Sequence, residues 1–222
     1  MLTSVSVETL QPKTSQETLI TNYEHNIFWK RCFDFFVSVL VALSILIWLI
    51  PIIGILIRLE SRGPILFVQL RTGRNGRQFR CLKLRTMTYN QTDTFKQAVP
   101  NDKRVTNIGR FLRKTNLDEI PQFFNVLVGD MSIVGPRPHA IEHDANYWFI
   151  LPDFEKRYTV LPGITGLAQV RGARGVTDDQ KVKMQHRLRY DLFYIKKYTL
   201  LHDIQICWWT LKSTLKGDKN AC

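Results

Sequence analysis

Apolar residues are spread unevenly along the chain. From Phe35 to Ile57 the sequence reads "FFVSVLVALSILIWLIPIIGILI", 23 residues without a charge. At about 1.5 Å rise per residue, a helix of this length just crosses a hydrocarbon core of roughly 30 Å. Buried helices of soluble domains are seldom so long or so uniformly apolar. Pro51 interrupts the run, removing one backbone hydrogen bond and bending the axis. Lys30 and Arg31 precede the run, and Arg58 and Arg62 follow it. Basic flanks are retained on the cytosolic side of a membrane, and here both ends claim that side. The pattern favours a re-entrant membrane helix over residues 27–62, broken at Pro51, above a single span. Ahead of it, residues 1–26 are polar and rich in Thr, Ser and Gln, and read as a loosely ordered tail and not a secretion signal.

Beyond Arg62 the pattern becomes that of a water-facing region over residues 63–222. Asn75-Gly76 lies between two runs of β-formers and predicts a hairpin with strands near 65–71 and 78–84, because both residues tolerate positive φ. Residues 88–104 are polar and read as a loop. "TNIGRFLRKT" predicts a short helix carrying Arg110, Arg113 and Lys114. Asn116 then suits the N-cap of a helix from Leu117 to about Val128, stopped by Gly129. "PGITG", Pro162 to Gly166, reads as a turn, and residues 180–198 and 201–216 read as helices. In the last helix Trp208 and Trp209 stand near Lys212 and Lys216, a mixture that suits either the headgroup boundary or ordinary core packing.

At 222 residues the chain is long enough for one domain with a real core. Its net charge of +12 points to an anionic partner: nucleic acid, phospholipid headgroups or a phosphorylated small molecule. Between Arg58 and Arg85 stand Arg58, Arg62, Arg71, Arg74, Arg77, Arg80, Lys83 and Arg85 against a single acid, Glu60. A basic face resting on anionic lipid gains about 1 kcal/mol per residue, and most of these side chains need do no more than that. Lys83 and Arg85 differ, since they sit at a strand end where a site can form. Cys32, Cys81, Cys207 and Cys222 are scattered with no CxxC pair, so they read as reduced thiols and not as a zinc site. His139, His143, His186 and His202 show no metal-ligand spacing and read as solvated or capping residues.

The stretch "NLDEIPQFFNVLVGDMSIVGPRP" places Asp118 beside Glu119 in this basic setting. Two readings stand open. With Asn116 as cap, Glu119 falls at the third helical position and completes a capping box, while Asp118 sits in the first turn where the helix dipole favours an anion. Alternatively the pair divides labour, one carboxylate attacking while the other holds a cation. Neighbouring helical side chains point about 100° apart, which rules out a shared-proton dyad on one face. A helix N-terminus would keep both ionised, as a nucleophile and a metal ligand require.

The ordered set "KRCFDFF", "GPILFVQLRTGRNGRQFRCLKLRTM", "LRKTNLDEIPQFFNVLVGDMSIVGPRP" and "LPGITGLAQVRG" resembles the bacterial sugar transferase family, the small monotopic phosphoglycosyl transferases that begin glycoconjugate assembly. The likeness covers about residues 27–216. It implies a mainly helical α+β fold with a small β-hairpin, a re-entrant membrane helix and interfacial amphipathic helices. The implied activity moves a sugar 1-phosphate from a UDP-sugar to undecaprenyl phosphate with Mg2+, releasing UMP, at the cytoplasmic face of the bacterial inner membrane. By carry-over, Asp118 would be the nucleophile that forms an aspartyl phosphosugar, and Glu119 would hold Mg2+. Lys83 and Arg113 would belong to the phosphate-binding side, Arg137 to the nucleotide side, and Asp191 to the site in a role the resemblance leaves open; Arg85 is a substrate-binding candidate from its place at the strand end alone.

Two departures stand out. Ile50 precedes Pro51 where the family commonly has serine, and Ala173 stands at a usual arginine position, leaving Arg174 as a shifted substitute. The wording "GLAQVRGARG" looks more like members that transfer glucose 1-phosphate in exopolysaccharide synthesis. The partners implied are a UDP-sugar, undecaprenyl phosphate and membrane lipid, with homo-oligomers left open and no nucleic acid. A non-enzymatic, membrane-anchored basic module that binds acidic lipid or nucleic acid is the competing reading, but it has no use for Asp118, Glu119 or the arginine between two prolines. An inactive scaffold would need a damaged motif, and Ala173 is the one candidate.

Overall fold

The computed structural model describes residues 15–89, 99, 102–173 and 180–216. Helix α1 (Ser15–Val41) passes through a π-helical turn (Ala42–Leu46) into α2 (Ile47–Glu60). Helical backbone therefore begins at Ser15, inside the stretch expected to be a loose tail, while residues 1–14 lie outside the described part. Pro51 does not break the helix; it sits within α2. The irregularity lies just upstream, where the amide of Ile47 reaches back to the carbonyl of Ala42. A π turn is one of the few devices that relieve crowding and bend a long helix. Ser44 donates its hydroxyl to the Leu40 carbonyl at 2.6 Å, so this turn has the kind of hydroxyl partner that Ile50 cannot give next to Pro51.

Leu40, Leu43, Ile47, Trp48, Ile52 and Ile55 are exposed along the middle of this helix. Its two ends are not. Near the start, Lys30 and Asp34 are buried against the rest of the protein. Near the end, Ile53 and Ile57 pack with Leu84 and Leu112. Both ends of one apolar helix thus rest on the same body.

That body opens with an antiparallel hairpin, β1 (Leu66–Thr72) and β2 (Gln78–Leu84), with Phe67 opposite Lys83. Asn75 (φ 56°) and Gly76 (φ 74°) turn it, as the sequence predicts. Helix α3 (Asn107–Thr115) follows, with Thr106 as its N-cap. Here one expectation fails. Asn116 is not an N-cap: at φ 56° it closes the C-terminus of α3, and Leu117–Glu119 form a separate 3-10 turn before α4 (Gln122–Val128). Pro121 has no amide hydrogen and sits naturally at a helix start, which moves the true start of α4 past the acidic pair. Gly129 (φ 97°) ends α4 as expected.

"PGITG" is also more than a turn. Gly163–Thr165 is a short strand, β4, parallel to β3 (Ser132–Val134). A Cβ at Gly163 would overlap the amide nitrogen of Gly135, and one at Gly135 would crowd the Leu161 carbonyl. Only glycine lets these backbones approach so closely. Helix α5 (Ile141–Trp148) and a 3-10 stretch (Phe154–Thr159), neither foreseen, build a second core in which Tyr147, Phe154 and Tyr158 meet Met184 and Leu188. The chain ends in α6 (Leu167–Val170), α7 (Gln180–Lys196) and α8 (Leu200–Lys216), the last two close to their predicted bounds. The main core gathers Cys81, Val126, Met131, Val134, Tyr194 and Ile206 between the hairpin, α4, β3, α7 and α8. Cys32, Cys81 and Cys207 are free thiols, and Cys222 lies outside the described residues.

Gly163→Ala is expected to cost about 3 kcal/mol by forcing β4 from β3. Thermal unfolding of the variant in detergent checks this; an unchanged melting temperature would contradict the close approach.

Candidate active site

Three segments converge on the acidic pair, and each is held by a specific contact. The hairpin supplies Lys83 near the end of β2. Asn125 on α4 accepts from the Leu82 amide at 3.0 Å and donates to the Arg80 carbonyl at 2.7 Å, so it extends the ladder of β2 onto the acidic segment. Helix α3 supplies Arg113, whose Nε donates to the Thr86 hydroxyl at 2.9 Å. Glu60, the last residue of α2, accepts from the amides of Asn107 and Ile108 at 2.7 and 3.0 Å and so covers the N-terminus of α3. The loop after β3 supplies Arg137.

Glu119 is the best-held group. Its Oε1 accepts from Lys83 Nζ at 2.7 Å, and Arg137 bridges both carboxylate oxygens, with Nη1 at 2.9 Å from Oε2 and Nη2 on Oε1. It does not reach back to complete a capping box. Burial alone would push its carboxyl up, but Arg137 and Lys83 overcome this and hold it well below the ordinary range. Asp118 differs. It is only 9 % exposed and forms no ion pair among the described residues. Burial is the largest influence on it and Glu119 adds repulsion, while Lys83, Arg113 and Arg137 offset part of both, leaving Asp118 raised to about 6. The expected physical cause, the N-terminus of a long helix keeping both carboxylates ionised, is corrected: only a 3-10 turn starts there, α4 begins at Gln122, and the adjacent residues are pushed in opposite directions by burial and by the cations.

One further expected site residue lies elsewhere. Arg85 is turned away from the pair. Its guanidinium donates to the carbonyls of Arg62, Ile57 (3.3 Å) and Ser61 (2.7 Å), and so caps the C-terminus of α2. Two residues on from Lys83 it would share that residue's face if the strand continued, but β2 ends at Leu84 and the guanidinium turns instead to the carbonyls at the end of α2. Arg174 lies outside the described residues. Asp191 is near the site but faces away from open solvent, paired with Arg157 at 2.9 Å.

Arg157 is the residue that sequence reasoning missed. Buried, it donates to Asp191, to the Arg137 carbonyl at 2.9 Å, and to His139 Nδ1 at 2.7 Å. His139 also meets Asp144 at 3.1 Å and Arg187 at 3.0 Å, so it is a buried network residue and not a solvated or capping one. Arg187 donates twice to the Ala173 carbonyl, and burial, then the nearby Arg157, lower it to about 10. Nothing in the spacing of "FEKRY" flags Arg157. His139 directly follows "GPRP", which is the only local pointer to this cluster.

A family model described as bacterial sugar transferase matches residues 25–217. The chain belongs to that family. A Klebsiella pneumoniae UDP-glucose:undecaprenyl-phosphate glucose-1-phosphate transferase is 44 % identical over 187 residues, which cover 84 % of this chain and 40 % of that protein. The Rhizobium leguminosarum bv. phaseoli exopolysaccharide production protein PSS is 43 % identical over 195 residues, covering 86 % of this chain and 96 % of that one. An Aeromonas hydrophila UDP-N-acetylgalactosamine-undecaprenyl-phosphate N-acetylgalactosaminephosphotransferase is 40 % identical over 192 residues, covering 86 % and 44 %. The chain spans about two fifths of the Klebsiella and Aeromonas relatives and nearly all of the Rhizobium one.

For this bacterial sugar transferase the described residues contain no group of three or more His, Cys, Asp or Glu side chains able to enclose a metal ion. An ion that takes one or two carboxylates and completes its shell with substrate oxygens and water, as Mg2+ commonly does, is compatible with Asp118 and Glu119.

The raised Asp118 carboxyl has a consequence for stability. A carboxyl with a higher folded than unfolded pKa binds its proton better when folded, so stability falls as pH rises from about 4 to about 6 and is level above that. In metal-free buffer Asp118→Asn should exceed the parent chain by about 3 kcal/mol at pH 7.5, the gap closing towards pH 4. Chemical denaturation in detergent at both values measures it; equal stabilities at pH 7.5 would contradict the assigned burial.

Proposed function

We propose that the chain transfers glucose 1-phosphate from UDP-glucose to undecaprenyl phosphate, releasing UMP, as an early step of exopolysaccharide synthesis. The observation that carries this reading is the asymmetry of the acidic pair. Glu119 is neutralised by Lys83 and Arg137, whereas Asp118 is buried beside the same cations with no ion pair of its own among the described residues. A desolvated, unpaired carboxylate surrounded by positive charge suits a nucleophile that must approach a diphosphate. The names of several relatives at 44–46 % identity carry the same donor and acceptor.

An Asp118 oxygen attacks the phosphorus attached to the sugar. The bond from that phosphorus to the bridging oxygen breaks, and UMP leaves with the electron pair. A phosphate oxygen of undecaprenyl phosphate then attacks the same phosphorus and displaces Asp118 as a carboxylate. Phosphoryl transfer of this kind needs placement and charge neutralisation more than proton movement, and Lys83, Arg113 and Arg137 provide both. Glu119 and Asp118 would hold a substrate-borne Mg2+, which when bound neutralises charge on the diphosphate. Arg137 and Lys83, which grip Glu119 here, can turn to the phosphate oxygens once that carboxylate has another partner.

The apolar helix is read as re-entrant from the cytoplasmic face of the bacterial inner membrane. From Lys30 to Arg58 a straight helix would be about 42 Å long, more than a hydrocarbon core of about 30 Å. A straight span would leave its ends on opposite sides of the bilayer, yet both ends dock on one body that carries charged surface. Exposed Leu43, Ile47 and Trp48 between those ends would face lipid. The nucleophile then sits where a water-soluble donor and a lipid acceptor can both reach it.

Purified chain given UDP-glucose, Mg2+ and undecaprenyl phosphate is expected to release UMP, and Asp118→Asn to lose more than ~10⁴-fold in rate. Release of UDP would indicate direct glycosyl transfer, and a fully active Asp118→Asn would rule out the nucleophile.

A further inference from the structure

Helix α1 carries a polar stripe where an apolar helix has no local need for one. Lys30, Asp34 and Ser38 stand one turn apart on a single face and are 2 %, 1 % and 0 % exposed. Burial of such groups is unfavourable unless they are bonded, and an apolar replacement of a buried ion pair often leaves stability no worse. Their partners suggest what they do instead. Asp34 Oδ1 accepts from the Ile133 amide at 3.0 Å. Lys30 Nζ donates to the Val134 carbonyl at 3.0 Å and to Asp203 Oδ2 at 2.6 Å. The Tyr194 hydroxyl donates to Asp203 Oδ1 at 2.7 Å and lies 3.4 Å from Lys30 Nζ, completing a ring that joins α1, α7, α8 and β3.

Both anchored residues of β3 immediately precede Gly135-Pro136-Arg137-Pro138. Little slack separates them from the guanidinium. The Gly135 amide is held by the Thr165 carbonyl at 2.9 Å, the Pro136 carbonyl by the Gly163 amide at 2.9 Å, and the Arg137 carbonyl by Arg157. Two prolines fix φ on either side of Arg137. A shift of β3 therefore passes to Arg137 instead of being absorbed by a flexible loop.

We infer that Lys30, Asp34, Tyr194 and Asp203 are positioning residues through which the apolar helix sets the placement of Arg137 for the nucleotide sugar. This rests on the reading of Arg137 as a donor-side cation. It ties the lipid-facing helix to donor binding, so that the arginine is aligned when α1 is seated.

Lys30→Met would leave the Asp203 carboxylate buried without its counter-charge and would test folding more than positioning. Tyr194→Phe and Asp34→Ala are the informative variants, with Asp34→Asn as the conservative control that keeps an acceptor for the Ile133 amide. UDP-glucose affinity is measured by calorimetry on the full chain in lipid nanodiscs, alongside the melting temperature. Each variant should bind about tenfold more weakly, the effect of one lost hydrogen bond. In an Arg137→Ala background neither should weaken binding further, and Asp34→Asn should restore most of the affinity. The same fold-loss with and without Arg137, or no loss at all, overturns the inference. A parent chain that binds no UDP-glucose overturns the functional reading instead, and the inference with it.

Discussion

A buried carboxylate held by two cations organises this protein. Glu119 draws Lys83 from the hairpin and Arg137 from the loop after β3 onto one turn of chain. Remove its charge and two cations lose the partner that makes their own burial tolerable. Much of the local architecture serves that convergence. Asn125 ties the acidic segment to β2, Glu60 and Thr86 fix α3, and glycines at 135 and 163 let β4 brace the arginine loop.

The same arrangement explains how two adjacent acids can differ in chemistry. A 3-10 turn presents Asp118 and Glu119 in different directions, and the cations are taken by Glu119. Asp118 feels their field without being bonded to them. It stays close enough to ordinary acidity to be charged at neutral pH, yet is desolvated, as the proposed nucleophile would require. The positive surroundings are less abundant than the sequence suggests. Arg71 donates to the Pro138 carbonyl, Arg74 to the Thr159 carbonyl and Arg85 to the end of α2. Much of the basic run between Arg58 and Arg85 is therefore internal fastening, which weakens the case for a surface that merely adheres to anionic lipid or nucleic acid.

What could be read from the sequence followed from local rules. Asn75-Gly76 dictates its hairpin through positive φ, Gly129 stops α4, and the apolar run declares itself by length. Lys83, Arg113, Asp118, Glu119 and Arg137 were named together through the resemblance of two separate charged motifs, and the fold brings these side chains near one another. What escaped depends on contacts between distant segments. Asn116 looks like an N-cap until Pro121 is seen to move the helix start. Arg85 looks like a site residue until the end of α2 arrives beneath it. Arg157, His139 and Arg187 lie in three separate segments, and only the folded chain brings them behind Arg137. Pro51 was expected to break the helix, but it sits within α2, and the irregular turn lies upstream at Ala42–Leu46.

In the proposed reaction Asp118 carries the sugar phosphate covalently between donor and acceptor. Mass spectrometry of the chain quenched after mixing with UDP-glucose and Mg2+ in the absence of undecaprenyl phosphate tests it most directly. A hexose phosphate is expected on the peptide containing Asp118, discharged when the lipid acceptor is added. Lipid-linked product formed at full rate with that peptide always unmodified would contradict it.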